Sequence, residues 1–132
     1  MMAKEKEVAR FGPFAQAIAN GVKKGDALYL SGQVSIDSKG QVVGAGDLAA
    51  QVRQAYLNVE EVLGKFGATM DDIVDETWFV TDISSVMGDI EGLFGVRQEA
   101  YGGEPQVAQT LIQIGALVMP ELLIEIKCIA HL

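Results

Sequence analysis

Apolar and polar positions follow two different periods along this chain, and the switches between them outline its elements. Residues 107–114 and 122–130 are rich in β-branched side chains and alternate in part, as strands with two unlike faces do. In the second run Ile124, Ile126 and Cys128 share one face, and Leu123, Glu125 and Lys127 the other. In the first, Gln109, Leu111 and Gln113 point one way, and Thr110, Ile112 and Ile114 the other. Read as a closing strand pair joined through Met119-Pro120-Glu121, the two runs put an amide and a carboxylate on faces able to meet across a ladder. If the chain has a functional site, this is where the pattern places it.

Upstream, residues 8–11 read as a short edge strand stopped by Gly12-Pro13, and 14–22 alternate weakly. Lys23-Lys24-Gly25-Asp26 reads as a hairpin connection leading into a strand at 27–31. Gly32 directly after that strand suggests a bulge or a close backbone approach. Asp37-Ser38-Lys39-Gly40 is a turn, after which 41–46 leave the sheet. The period then changes to that of a helix. Asp47 suits an N-cap, and Leu48, Val52, Ala55, Tyr56, Val59, Val62, Leu63 and Phe66 recur at three- and four-residue steps. Gln51, Arg53, Gln54, Glu60, Glu61 and Lys65 fall mostly off that stripe, and Gly67 fits just beyond the helix end. Residues 73–80 return to period two, with Thr77 and Phe79 on one face and Glu76, Trp78 and Val80 on the other. A second helix, capped by Asp82 or Ser84, runs to about Tyr101 on a weaker stripe. Gly88, Gly92 and Gly95 each cost it about 1 kcal/mol relative to alanine.

Strands with helices packed on one face make an α+β layer. The other face of such a sheet is apolar here too, which asks for a partner and predicts a homo-oligomer. The length of 132 residues suits one domain over 1–132. The formal charge is −8, with Arg10, Arg53 and Arg97 as the arginines and basic residues clustered only at 4–6 and 23–24. That balance disfavours nucleic acid as a partner. Cys128 has no second cysteine to bridge to, and with His131 it cannot make a closed zinc site. The N-terminus lacks the apolar core of a secretory signal and no run approaches a membrane span, so a cytoplasmic protein is expected.

Candidate chemistry is sparse. No GxSxG elbow surrounds Ser31, His131 is badly placed to activate it, and the glycines spell neither a dinucleotide fingerprint nor a P-loop. Cys128, on the face of Ile124 and Ile126, reads as a buried inert thiol. Glu125 is the exception. A carboxylate between Ile124 and Ile126 would have its pKa raised by burial toward a useful general base. The competing reading is an outward glutamate paired with Lys127. Phe14 and Trp78 fit a core as well as a ligand platform, and Gln109 and Gln113 fit a subunit contact.

The motifs, taken in order, resemble one family. Gly12-Pro13-Phe14-Ala15-Gln16-Ala17 is similar to GPYSQA, and Leu30-Ser31-Gly32-Gln33 to an SGQ strand. The helix with Asn58-Val59 and Val62-Leu63, the turn Gly67-Ala68-Thr69-Met70-Asp71-Asp72-Ile73-Val74, and the ending 122–130 also resemble that family's pattern. It is the Rid family of reactive intermediate deaminases, YjgF-like or L-PSP endoribonuclease-like proteins. The resemblance implies a chorismate-mutase-like α+β fold with a six-stranded mixed sheet and two helices on one face. It also implies a homotrimer with a central β-barrel and a small-molecule cleft between subunits. Family deaminases hydrolyse enamines and imines such as 2-aminoacrylate to a 2-oxo acid and ammonia, without metal or organic cofactor. Glu125 then corresponds to the residue positioning water, and Ser31, Gly32, Phe14, Gln109 and Leu111 to ligand-binding positions.

The chain departs from that pattern where the family's PARS arginine, which pairs with a substrate carboxylate, is replaced by Gln109. A neutral hydrogen bond in place of a charge-assisted one weakens carboxylate binding by roughly one to two orders of magnitude. Phe14 replaces a tyrosine, and Ile90-Glu91-Gly92 lacks an asparagine often found on the second helix. Three readings follow: a hydrolase of an imine or enamine that need not carry a carboxylate, a non-catalytic trimer binding a metabolite or protein, and an endoribonuclease. The last is disfavoured by the charge and the missing arginine.

Overall fold

The computed structural model describes residues 5–132. Lys4 of the basic stretch and the start of the N-terminus discussed above lie outside the described residues. Among the described residues seven strands form one mixed sheet: β1 (Lys6–Ala9), β2 (Gly21–Lys24), β3 (Ala27–Leu30), β4 (Gln33–Val34), β5 (Ile73–Val80), β6 (Ala108–Gln113) and β7 (Ile124–His131). The spatial order is β1-β2-β3-β7-β5-β6, and β4 continues along β7 beyond β3, so the sheet is six strands wide. β5 and β6 run parallel, and the other strand pairs among the described residues are antiparallel. Helices α1 (Leu48–Gly64), α2 (Ile83–Met87) and α3 (Ile90–Tyr101) make the second layer of this α+β fold.

α1 forms where the apolar stripe was expected. Asp47 caps it by accepting a hydrogen bond from the Ala50 amide (3.1 Å), and Gly67, at φ +69°, lets the Ala68 amide reach the Leu63 carbonyl (3.0 Å). The stripe closes over Leu28, Leu30, Trp78, Ile124, Ile126 and Cys128, all fully buried. One residue departs from the expected polar side. Gln51 is buried and staples the connection before β7, donating to the Glu121 carbonyl (2.9 Å) and accepting from the Leu123 amide (2.8 Å).

Two expectations need correction. The second helix is not continuous: Gly88 ends α2 and Asp89 precedes α3, at one of the glycines that weaken the stretch. The closing strands do not pair with each other. β5 lies between them, parallel to β6 and antiparallel to β7. A chain returning in parallel needs a crossover, and the α2–α3 segment supplies the one from β5 to β6.

The face away from the helices carries a cross-strand row of Val8, Val22, Tyr29 and Ile129, with Val8 and Tyr29 about half exposed. No helix among the described residues is long and apolar enough to cross a membrane.

Candidate functional site

The bulge between β3 and β4 shapes the site. At Ser31 the backbone leaves the ladder, and its amide and hydroxyl both turn to the 11–20 loop. The amide donates to the Asn20 carbonyl (2.9 Å) and the Oγ to the Ala19 carbonyl (2.6 Å). Phe11 is tied in the same way, its amide donating to Asn20 Oδ1 (2.9 Å). On the far side Asn58 of α1 donates to the carbonyls of Val34 and Ile36 (2.9 and 3.0 Å) and accepts from Gln54. These bonds hold apart the walls of a cleft of about 530 Å³, whose apolar lining includes Phe11, Phe14, Ile18, Val34, Ile36 and Val118.

Glu125 projects into this cleft. Its register neighbours are Val34 on β4 and Phe79 on β5, with Ile112 beyond on β6, so the carboxylate stands in an otherwise apolar row. Desolvation pushes its pKa above the usual glutamate value, and the Lys127 ammonium partly opposes that rise. The outward ion pair with Lys127 is not formed. Lys127 Nζ instead donates to the Leu30 carbonyl (2.5 Å), and the ion pairs among the described residues are Lys23–Glu7 and Arg97–Glu76. Glu125 therefore faces the cleft with no hydrogen bond of its own among the described residues.

Gly32 lies directly under that carboxylate. A Cβ at this position would stand 2.9 Å from Glu125 Cγ and 2.6 Å from its Cδ, well inside contact. The need is for space, since Gly32 is not among the glycines with positive φ. Gly32→Ala is accordingly expected to displace the Glu125 side chain. The cost to stability should be small, because the atoms met belong to a flexible side chain that can swing aside. A turnover that depends on Glu125 should fall at least tenfold, since misplacing a reacting group by about 1 Å costs up to 100-fold. Unchanged activity would remove Gly32 from the site.

Four of the expected site residues thus meet in one cleft: Glu125, Ser31, Gly32 and Phe14. Ser31 acts there as a structural donor. Gln109 and Leu111 do not line it. They lie on the helix-facing side of β6, the opposite face of the sheet from Glu125. The amide of Gln109 meets a different carboxylate, because its register neighbour is Glu76 and its Nε2 donates to Glu76 Oε2 (2.9 Å). Leu111 packs against the core.

Glu76 centres a polar cluster that the sequence reading did not single out. Its Oε1 accepts from Tyr56 (2.8 Å) and Tyr101 (2.7 Å), its Oε2 from Arg97 Nε (2.6 Å) and Gln109, and Trp78 donates to the Tyr56 hydroxyl (3.0 Å). Burial and the adjacent Glu76 charge drive both tyrosine pKa values up, so the hydroxyls stay protonated donors. Burial opposes the Arg97 charge, but Glu76 outweighs it and keeps the guanidinium protonated. Cys128 sits on the same buried row. Desolvation, reinforced by Glu76, raises its pKa, which makes it the inert thiol expected. Among the described residues no group of three or more His, Cys, Asp or Glu side chains could hold a metal ion.

Comparison with known proteins adds to this geometry. Residues 5–132 match the family model described as Endoribonuclease L-PSP. A RutC family protein of Pyrococcus horikoshii is 32% identical over 120 residues, covering 91% of this chain and 87% of the relative. The 3-aminoacrylate deaminase RutC of Acinetobacter baylyi is 32% identical over 109 residues, covering 83% and 82%. Among solved structures, a conserved Rid family protein of unknown function from Yersinia pestis, YyfA, superposes with a TM-score of 0.84 at 26% identity, over 97% of this chain and all (100%) of that one.

Proposed function

This chain belongs to the Endoribonuclease L-PSP family and is similar to RutC and Rid proteins, and from that premise we propose that it hydrolyses a reactive enamine or imine to a carbonyl compound and ammonia. The observation that carries the proposal is Glu125: a carboxylate with raised proton affinity and no hydrogen-bond partner among the described residues, in a largely apolar cleft over a glycine that leaves it room. Hydrolysis of an imine needs a positioned water and one group that takes its proton and returns it to nitrogen, so a carboxylate poised nearer neutrality suffices. A relative named as a 3-aminoacrylate deaminase supports the same reaction class. Endoribonuclease action ranks last, since the net charge is −8 and among the described residues no lysine or arginine lines the cleft. The test is imine hydrolysis by wild type against Glu125→Gln, with the imine generated in place and semicarbazide competing for it. Binding without turnover would favour a metabolite-binding role instead.

In this proposal the protein acts in the cytoplasm as a single domain over 1–132 and assembles as a homotrimer. Gln109 and Leu111 reach a ligand beside Glu125 only if they come from a neighbouring copy, and the half-exposed Val8, Tyr29 and Ile112 give the open sheet face an apolar surface to bury. Sedimentation equilibrium should then return roughly three times the 14.1 kDa chain mass at micromolar concentration. A 14.1 kDa species alone would sink the trimer.

A further inference from the structure

We infer that the cleft takes an imine or iminium that carries no carboxylate: an uncharged or cationic substrate with an apolar substituent. The inference rests on the hydrolase reading above and narrows its substrate class. Among the described residues the charged side chains lining the cleft are Asp37, Glu61 and Glu125, with no lysine or arginine. Three cations near its rim have contacts of their own. Arg10 Nη1 donates to the Ala15 carbonyl (3.2 Å), Lys65 Nζ stands 4.8 Å from the Phe11 ring centroid, and Lys127 Nζ caps the Leu30 carbonyl (2.5 Å). A neighbouring copy presenting β6 would not change the balance, because Gln109 is neutral and the Arg97 charge is matched by Glu76 at 2.6 Å.

A carboxylate entering such a cleft gives up its hydration with no lysine or arginine among the described lining residues to receive it, which is costly. The whole-protein charge of −8 adds a repulsive field on the way in. A protonated imine meets the opposite situation. Glu125, Glu61 and Asp37 favour its positive charge, and protonation makes the imine carbon electrophilic. In the step this supports, water oxygen bonds to that carbon, its proton passes to Glu125, and the C=N π pair moves to nitrogen. Return of that proton to nitrogen makes ammonia the leaving group; as the C–N bond breaks the hydroxyl proton passes to Glu125 and on to the ammonia, so R–CH=NH₂⁺ plus H₂O gives R–CHO plus NH₄⁺. The apolar lining, Phe14 and Ile18 among it, accommodates R.

The test uses a pair of imines differing by one carboxylate. Pentan-1-imine is generated from pentylamine by an amine oxidase, and 2-iminohexanoate from norleucine by an amino-acid oxidase, each with catalase present and semicarbazide as competitor. Wild type should accelerate hydrolysis of pentan-1-imine at least about tenfold more than that of 2-iminohexanoate, a factor worth about 1.4 kcal/mol. Equal or faster hydrolysis of 2-iminohexanoate would overturn the inference and leave the hydrolase reading standing. Acceleration of neither would overturn both. Separately, NMR titration should show pentylammonium binding at least tenfold tighter than pentanoate, with the advantage reduced in Glu125→Gln. Equal binding of the two ions would overturn the charge preference whatever the hydrolysis shows.

Discussion

Glu125→Gln is expected to lower imine hydrolysis by roughly 100- to 10,000-fold, the range for removing a positioned general acid–base group, while the protein stays folded. The amide fills the same space above Gly32 and can still hydrogen-bond a water, but it cannot take the water's proton. Stability should respond in the opposite sense to activity. Desolvation raises the Glu125 pKa in the folded protein above its unfolded value, so the folded state holds this proton more tightly. Its contribution therefore declines as pH rises from the unfolded glutamate value through the raised folded one, and is flat above. At neutral pH the wild type carries a partly desolvated charge that Glu125→Gln does not. The variant should melt no lower than wild type, and its melting temperature should vary less with pH across that window. Activity should also fall as pH drops below the raised pKa, where the base is protonated. A variant within threefold of the wild-type rate would remove Glu125 from the chemistry. One that melts several degrees lower would make it a structural residue.

How far the sequence announces this site depends on the range over which each interaction acts. The faces of β7 follow from a period of two, so Glu125 and Ile126 fall on opposite sides without knowledge of any partner. Gly32 declares itself as a glycine interrupting a strand. The neighbour of β7 is another matter. Two alternating runs near the chain end look like a hairpin, and nothing local says that β5 inserts between them. That insertion puts Glu76 beside Gln109, and the register turns the Gln109 amide to the helix side of the sheet, away from Glu125. The cluster around Glu76 was missed for the same reason, since Tyr56, Arg97, Tyr101 and Gln109 converge from α1, α3 and β6. One signal was present. Glu76 shares its face with Trp78 and Val80, and a carboxylate in phase with a buried tryptophan is a buried carboxylate that needs partners. The break at Gly88 was foreshadowed by glycine content, though its position was set by how α2 and α3 pack.

Glu76→Ala is the substitution expected to do most damage to the fold, at about 3–5 kcal/mol, the cost of stripping one partner from a buried ion pair. Glu76 is wholly buried, and its loss strands Arg97, itself only 8% exposed, together with the donors of Tyr56, Tyr101 and Gln109. A domain of this size is stable by roughly 5–15 kcal/mol, so the variant should be marginal or unfolded at 37 °C. Glu76→Gln tests whether charge or hydrogen bonding dominates. Its carbonyl oxygen can still accept from both tyrosines, but its NH₂ faces the Arg97 and Gln109 donors, so the loss should fall between wild type and Glu76→Ala. The cycle of Glu76→Gln, Arg97→Met and the double variant isolates the pair, because the double variant removes the stranded charge. Its destabilisation should be smaller than the sum of the singles by about 1–3 kcal/mol in urea unfolding, within the range for residues sharing one network. Strict additivity, or a loss below about 1 kcal/mol for Glu76→Ala, would mean that the cluster is solvated and that the fold does not depend on it.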